Sequence, residues 1–368
     1  MAKYVKTEQG YIDITTNFAP PQFKPAGKSY LTFSSISSFT LAVKNKIKSW
    51  NGTLEYFTSD KTWATWDGTT TLPAVGDDGE YFLYLRGTGN TIITGNNTSY
   101  QWVLTGTDIK CIGNIENLLN YATVESGANP TMANYCYAYM FKGCTALTQA
   151  PLLPATTLAD SCYEYMFAGC TALTQAPSLP ATTLANGCYS GMFQGCTALT
   201  QAPSLPATTL ANGCYFNMFQ GCTALTQVPS LPATTLANSC CESMFQGCTS
   251  LKLSSTKTNE YAQEYRVPFS GNGATTSYAL TDMFTSTGGT FTGTPSINTT
   301  YYLSSNNMIV RETEIATLNG YVDSMIDTAI GEYADTAEYI IPSSTSGSTK
   351  KFKITVDDTG TISATEVT

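Results

Sequence analysis

Cysteine is the most conspicuous reactive residue of this 368-residue chain, and histidine is missing altogether. Ten of the twelve cysteines fall into two columns, with seven residues between the members of each pair. The first column is Cys136, Cys162, Cys188, Cys214 and Cys240; the second is Cys144, Cys170, Cys196, Cys222 and Cys248. Cys241 adjoins the first column and Cys111 precedes both. Structural zinc sites draw on closely spaced cysteine pairs, typically with two to four residues between them. No Cys-x2-Cys pair occurs, so no zinc site is expected. A disulfide needs Cβ atoms about 3.8 Å apart, nearer than stacked rows of chain bring them. The expectation is therefore a ladder of buried free thiols, each packed as a small hydrophobe. The lack of histidine removes the commonest general base, the commonest metal ligand and the usual partner of a nucleophilic serine or cysteine. Glycoside hydrolysis needs two carboxylates about 5–9 Å apart in a cleft. The cysteine-bearing rows hold only Asp160, Glu164 and Glu242, and no pair recurs. The chemistry left open is binding and structure, with no enzyme activity, no metal and no cofactor expected.

Binding candidates emerge when the rows are compared with one another. Most columns hold one residue type. The pair that follows Cys-Tyr does not: Ala138-Tyr139, Glu164-Tyr165, Ser190-Gly191, Phe216-Asn217 and Glu242-Ser243. A core column would keep one size and polarity, so this one is expected to face solvent. Tyr139, Glu164, Tyr165, Ser190, Phe216, Asn217 and Glu242 are the expected ligand-contact strip, mixing aromatic and acidic groups. Lys142, Ala168, Gln194, Gln220 and Gln246 form a milder exposed column beside it. The Thr156/Thr157 column and its equivalents, and Gln149, Gln175, Gln201 and Gln227, read as hydrogen-bonded ladders.

The elements that must position this strip repeat every 26 residues over 136–248. Each of the five rows opens Cys-Tyr-x-x-Met-Phe-x-Gly-Cys-Thr, with Cys241 replacing tyrosine in the fifth. A fixed period in this range marks stacked supersecondary units, none of which buries its apolar face alone. In the second row Cys162, Tyr163, Met166, Phe167 and Cys170 fall at helical spacing, and Gly169 stands where a helix would end. Leu173, Ala176 and Leu179 follow between two prolines, which limit regular strand. Each row is expected to be a short helix, a short strand and a polar return.

These rows match leucine-rich repeats in type, and Met-Phe-x-Gly-Cys-Thr-Ala-Leu-Thr resembles the BspA-like repeats of bacterial surface proteins and gut-bacterial phages. The resemblance covers 136–248 and extends over 111–135. Upstream, Leu54-Glu55-Tyr56, Trp63 and the run from Gly79 to Gly87 look like the β-domain that often precedes such repeats. What it implies is a leucine-rich-repeat solenoid with an adhesive, non-enzymatic role, carried either on a phage fibre or on a bacterial cell surface.

The fold class expected for the whole chain is α+β and β-rich. Residues 1–26 read as an N-terminal arm. Residues 27–110 alternate apolar and polar in β fashion, with strands at Tyr30–Phe33, Ser38–Val43, Thr53–Thr58, Glu80–Arg86, Asn90–Thr94 and Ser99–Leu104, and read as an antiparallel β-sandwich. All four tryptophans, Trp50, Trp63, Trp66 and Trp102, lie there. At least two are expected in the core, with an exposed Trp63/Trp66 pair stacking on a sugar ring as the alternative. The solenoid is expected over 111–302, with caps at 111–135 and 249–302. Residues 303–368 read as a C-terminal helix and β tail, similar to the terminal domains of phage fibre proteins. Its helix places Ile315, Leu318, Val322, Met325 and Ala329 on a seam close to a heptad, able to seed a homotrimer.

The net charge of −9 speaks against nucleic acid or an anionic membrane as the main partner. No apolar run reaches 18 residues, so no membrane span is expected, and the first residues lack the apolar stretch of a signal peptide. The expected partners are other virion proteins, capsid or tail, and a host-surface or mucosal glycan or protein. The expected location is the virion, with the bacterial cell surface as alternative. A glycan depolymerase is the third and least favoured class.

Overall fold

A computed structural model describes residues 4–7, 10–13, 23–25, 30–267, 278–297, 299–310, 338–342, 351–356 and 362–367. It divides into two compact units, 1–312 and 313–368. The described residues are β-rich, with one short α-helix. No helix among them is long and apolar enough to cross a membrane.

Strands β1 (Tyr4–Thr7) and β2 (Gly10–Asp13) pair as an antiparallel hairpin. The alternating region then builds two sheets over one core. The strands are β3 (Leu31–Ser35), β4 (Thr40–Val43), β5 (Thr53–Phe57), β6 (Trp63–Trp66), β7 (Leu72–Pro73), β8 (Val75–Asp77), β9 (Glu80–Thr88), β10 (Trp102–Thr105) and β11 (Ile109–Ile112). One sheet runs β12-β11-β3-β9-β5-β6, with β8 also on β9; the other runs β10-β4-β7. Strand β12 (Leu147–Gln149) comes from the first row and joins β11 in parallel. The larger sheet is therefore mixed rather than purely antiparallel, and it flows directly into the rows. Leu31, Phe33, Leu54, Trp66, Leu83 and Leu85 of one sheet and Leu41, Val43, Leu72 and Trp102 of the other bury their side chains in one shared core. The outer face of the large sheet carries a second cluster, Phe57, Phe82 and Tyr84, which Phe23 covers. The Phe23 amide donates to Asp77 Oδ2 at 2.7 Å, so the end of the expected arm is docked on the sheet.

Asn90–Thr94 is not a strand. Its amides are used elsewhere: Asn90 N–H donates to Leu119, and Ile93 and Thr94 both donate to Cys136 of the first row. Within the expected cap at 111–135 lies the helix α1 (Asn117–Glu125). Arg86 locks it to the sheet. Its guanidinium sits 4.1 Å from the Trp63 ring and 4.5 Å from the Tyr121 ring, and Nε pairs with Glu55 at 2.8 Å.

The rows contain no helix. Positive φ recurs every fourth residue: 161, 165 and 169 in the second row, and the equivalents 135, 139, 143 through 239, 243, 247 in the others. A left-handed residue ends a right-handed helix, so the spacing of four reports a chain of successive turns. Backbone hydrogen bonds alternate accordingly. The amides of Cys162, Glu164, Met166, Ala168 and Cys170 donate three residues back within the row. Those of Ser161, Tyr163, Tyr165, Phe167 and Gly169 donate to the carbonyls of residues 186, 188, 190, 192 and 194 in the next row. No backbone amide of this stretch is left unpaired, as burial demands.

Side chains stack with the same period. Phe141, Phe167, Phe193, Phe219, Phe245 and Phe284 form a continuous column with centroids 5.6 to 5.7 Å apart. Tyr137, Tyr163, Tyr189 and Tyr215 form a second, ended by Cys241 in the fifth row. Phe284 belongs to a sixth, degenerate row: the amides of Cys241, Ser243, Phe245 and Gly247 donate to residues 279, 281, 283 and 285.

Both ends of the stack are closed. At the first row, Ile93 and Trp102 amides, Thr94 Oγ1 and Gln101 Nε2 take the carbonyls of Cys136, Met140, Ala138 and Lys142. At the sixth, Gly293 O accepts from Phe284 and Thr294 Oγ1 from Asp282. Four further strands complete this end: β14 (Lys252–Ser254), β15 (Tyr261–Arg266), β16 (Gly288–Gly289) and β17 (Thr300–Ser304), ordered β15-β17-β14-β16. The chain then runs back along the stack, and β18 (Met308–Val310) pairs in parallel with β13 (Gln227–Pro229) of the fourth row. Buried Asn307 fixes this return, accepting from Lys252 N–H and Ser304 Oγ and donating to the carbonyls of Thr226 and Ser250. Residues 303–310 thus belong with the rows, and the boundary expected at 302 falls at 312.

In the second unit, β19 (Glu338–Pro342), β20 (Lys351–Val356) and β21 (Ile362–Val367) form an antiparallel sheet in that order. The expected helix with Ile315, Leu318, Val322, Met325 and Ala329 lies outside the described residues.

Candidate functional site

All twelve cysteines are free and buried. The second column is not merely apolar filling. Cys170, Cys196, Cys222 and Cys248 each place Sγ 3.0 to 3.1 Å from the phenylalanine carbonyl of the preceding row, so each thiol donates across the row junction. Burial pushes the Cys170 and Cys222 thiols well up, and those of Cys196 and Cys248 to about 12. These are inert protonated thiols. Among the described residues no cluster of three cysteine or acidic side chains could hold a metal ion.

Trp66 is 1% exposed, packed against Trp50 and Trp102 at 5.0 and 5.5 Å, and donates Nε1–H to Thr70. Trp63 is enclosed by Tyr30, Phe57 and Arg86. The exposed tryptophan pair does not exist, because Trp66 points into the core between the sheets.

The variable strip is half-buried rather than fully solvent-facing. Ala138 and Gly191 are buried and Ser190 is 8% exposed; Tyr139, Glu164, Tyr165, Phe216, Asn217, Glu242 and Ser243 are intermediate. The reason is the backbone. Positions 139, 165, 191, 217 and 243 are the middle left-handed residue of each row, with φ of 61°, 51°, 59°, 55° and 53°. Glycine and asparagine accept that conformation readily, whereas a bulky side chain there is strained. Tyr139 and Tyr165 adopt it nonetheless, and their rings stack at 5.5 Å and 8°. Tyr165 in turn lies over Gly191, where an added Cβ would meet the ring at 2.2 Å. A side chain at 191 and the ring of Tyr165 exclude one another.

Lys142 completes the group. Its Nζ is 5.2 Å from the Tyr139 centroid and 5.1 Å from that of Tyr165, within cation–π range of both. The Tyr139 hydroxyl lies 3.4 Å from Glu164 Oε1. Burial first, then the Glu164 carboxylate, push the Tyr139 hydroxyl up to about 12. Burial also raises the Glu164 carboxyl, opposed by hydrogen bonds from Ser161 and Tyr139 and by the Lys142 charge. Beyond the tyrosines, Gln194 donates its amide to Gln220 and Gln220 to Gln246.

The Gln175, Gln201 and Gln227 column and the Thr183, Thr209 and Thr235 column form ladders as expected, paired through parallel backbone bridges. An unanticipated ladder joins Asn134, Asp160, Asn186, Asn212 and Asn238, each Oδ1 accepting the backbone N–H of the next. The 26-residue recurrence of Asx residues two positions before the first cysteine was its signal in the sequence.

Two surface depressions, of about 300 and 270 Å³, are lined by residues 106–108, 145, 146 and 172, and by 230–232, 264–266 and 309. Neither gathers a set of converging polar groups like that at Tyr139. The chain matches no protein-family model, no curated protein and no solved structure.

Proposed function

We propose that this chain is a non-enzymatic structural and binding protein of a phage particle, a leucine-rich-repeat solenoid of the BspA-like kind carried as a head- or tail-fibre-like appendage. One terminal segment attaches it to capsid or tail proteins, and the rows face outward to host-cell or mucosal glycans or proteins. The observation that carries the adhesive part is the tyrosine pair. In rows that otherwise repeat, two tyrosines occupy a backbone position that disfavours them, stack on each other and carry a lysine. Backbone strain of this sort, about 1–3 kcal/mol per residue, gathers at functional positions. The covered ends support the reading as well, since hydrogen bonds from flanking segments to the first and sixth rows limit end-to-end pairing of the stack. Assembly as a homotrimer through Ile315, Leu318, Val322, Met325 and Ala329 is part of the proposal, motivated by their heptad-like spacing.

Mass spectrometry of purified particles should find the intact chain, and light scattering of the isolated protein should give a trimer. Absence from particles, with recovery in a bacterial envelope fraction, would move the adhesin to a cell surface. A monomer in solution would remove the trimeric fibre.

A further inference from the structure

The tyrosine pair lies at the junction of the rows with the N-terminal sheets and carries the Lys142 ammonium. Gln101 bridges the Lys44 ammonium and the backbone of Lys142 there. Its Nε2 donates to the Lys142 carbonyl, and its Oε1 accepts from Lys44 Nζ at 3.3 Å. Among the described residues the ion pairs are Arg86–Glu55 and Lys257–Glu264, so neither Lys44 nor Lys142 makes a direct ion pair there, although the Lys142 charge is felt by Glu164. Lys142 is half-buried, and its ammonium makes no hydrogen bond among the described residues while it lies over both rings. A partly desolvated cation with unused donors gains from an anionic partner. The acidic group facing this spot is Glu164, which accepts from Tyr139 and whose burial favours its neutral form.

We infer that Lys142 and Lys44, with the edges of Tyr139 and Tyr165, form a receptor for the anionic group of an acidic saccharide. This rests on the adhesive reading above and names the ligand class for the same strip. The rings offer an apolar edge for sugar C–H groups, Lys142 and Lys44 pair with the carboxylate or sulfate, and Gln101 and Glu164 supply an amide and an acceptor for hydroxyls. The net charge of −9 does not prevent this. At physiological salt, exposed charges are screened beyond about 8 Å, so the local lysines govern the last approach.

Calorimetry on the full-length protein with sialyllactose, a sulfated lactose and neutral lactose tests the inference. Sialyllactose or the sulfated sugar should bind at least about tenfold more tightly than lactose, the preferred one identifying carboxylate or sulfate as the anion. Lys142→Gln and Lys44→Gln should each weaken that binding about tenfold, the size of a charge-assisted contact. Raising salt from about 50 to about 300 mM should weaken it further. Equal binding of lactose, or lysine variants that bind as wild type, would overturn the anionic receptor. If those variants still adhere to host cells or mucin, only the ligand class is wrong. Wild-type protein that binds neither the sugars nor cells nor mucin would sink the adhesive reading together with the inference.

Discussion

Phe193→Ala should destabilise the first unit by about 3–5 kcal/mol, the range for emptying a fully buried aromatic site. Phe193 is 0% exposed and sits mid-column, 5.7 Å from both Phe167 and Phe219 and nearly parallel to each. Its removal deletes two ring contacts, each worth about 0.5–1.5 kcal/mol beyond area burial. The neighbouring rows cannot close the gap, because their backbones are tied at a fixed spacing by row-to-row hydrogen bonds such as Phe193 N–H to Met218 O. In a stack whose cooperativity passes only between neighbours, a central hole also weakens coupling between the two halves. Denaturant unfolding should show a lower midpoint, broadened or split. A loss below about 1 kcal/mol would mean that the column is not the core of the rows.

Glu116→Gln should stabilise the protein at pH 8 by about 3 kcal/mol and leave it nearly unchanged below pH 4.5. Glu116 is 1% exposed and neither carboxylate oxygen has a hydrogen-bond partner among the described residues. It faces Cys136 and Tyr137 of the first row and Tyr163 of the second. Burial raises its pKa from 4.5 to about 7, partly opposed by the Asn114 side chain. The sign follows from which state holds the proton. A carboxyl that is a weaker acid folded than unfolded favours folding when protonated. Its contribution is fullest below pH 4.5, is lost as pH rises from 4.5 to about 7, and stays lost above. At about 1.4 kcal/mol per pKa unit that loss is about 3 kcal/mol. Glutamine removes the charge, so the variant should lack this part of the pH dependence. A variant less stable than wild type at pH 8 would show that the ionised carboxylate is paired.

The core of the rows was legible because Cys, Met, Phe and Leu recur at fixed positions; the Cys, Met and Phe columns and two of the three Leu columns are buried, and the column of Leu158, Leu184 and Leu210 is partly so. The local backbone was not. Apolar spacing of four fits a helix and fits a chain of four-residue turns, and only the third left-handed position is glycine in all five regular rows. At the first two, Tyr135, Ser161, Tyr165, Asn217 and Ser243 hide the requirement. The closures were invisible for a different reason. They depend on long-range partners such as Thr94 to Ala138 and Asn307 to Thr226, which no periodicity announces. The strip was found by its variability, but its depth was misjudged. Half-burial arises from Tyr165 leaning across Gly191, a contact between rows that appears only once the register is known.

The most direct measurement is binding of labelled full-length protein to host bacterial cells and immobilised mucin, with a variant carrying Tyr139→Ser, Tyr165→Ser and Phe216→Ser beside it. Because these side chains are half-buried and two of them stack, the variant should melt lower by about 2–4 °C per kcal/mol lost, with about 0.5–1.5 kcal/mol from the lost ring pair. Its binding to at least one surface should fall by about tenfold or more, equivalent to about 1.4 kcal/mol. Undiminished binding by a folded variant would contradict the strip as the adhesive surface.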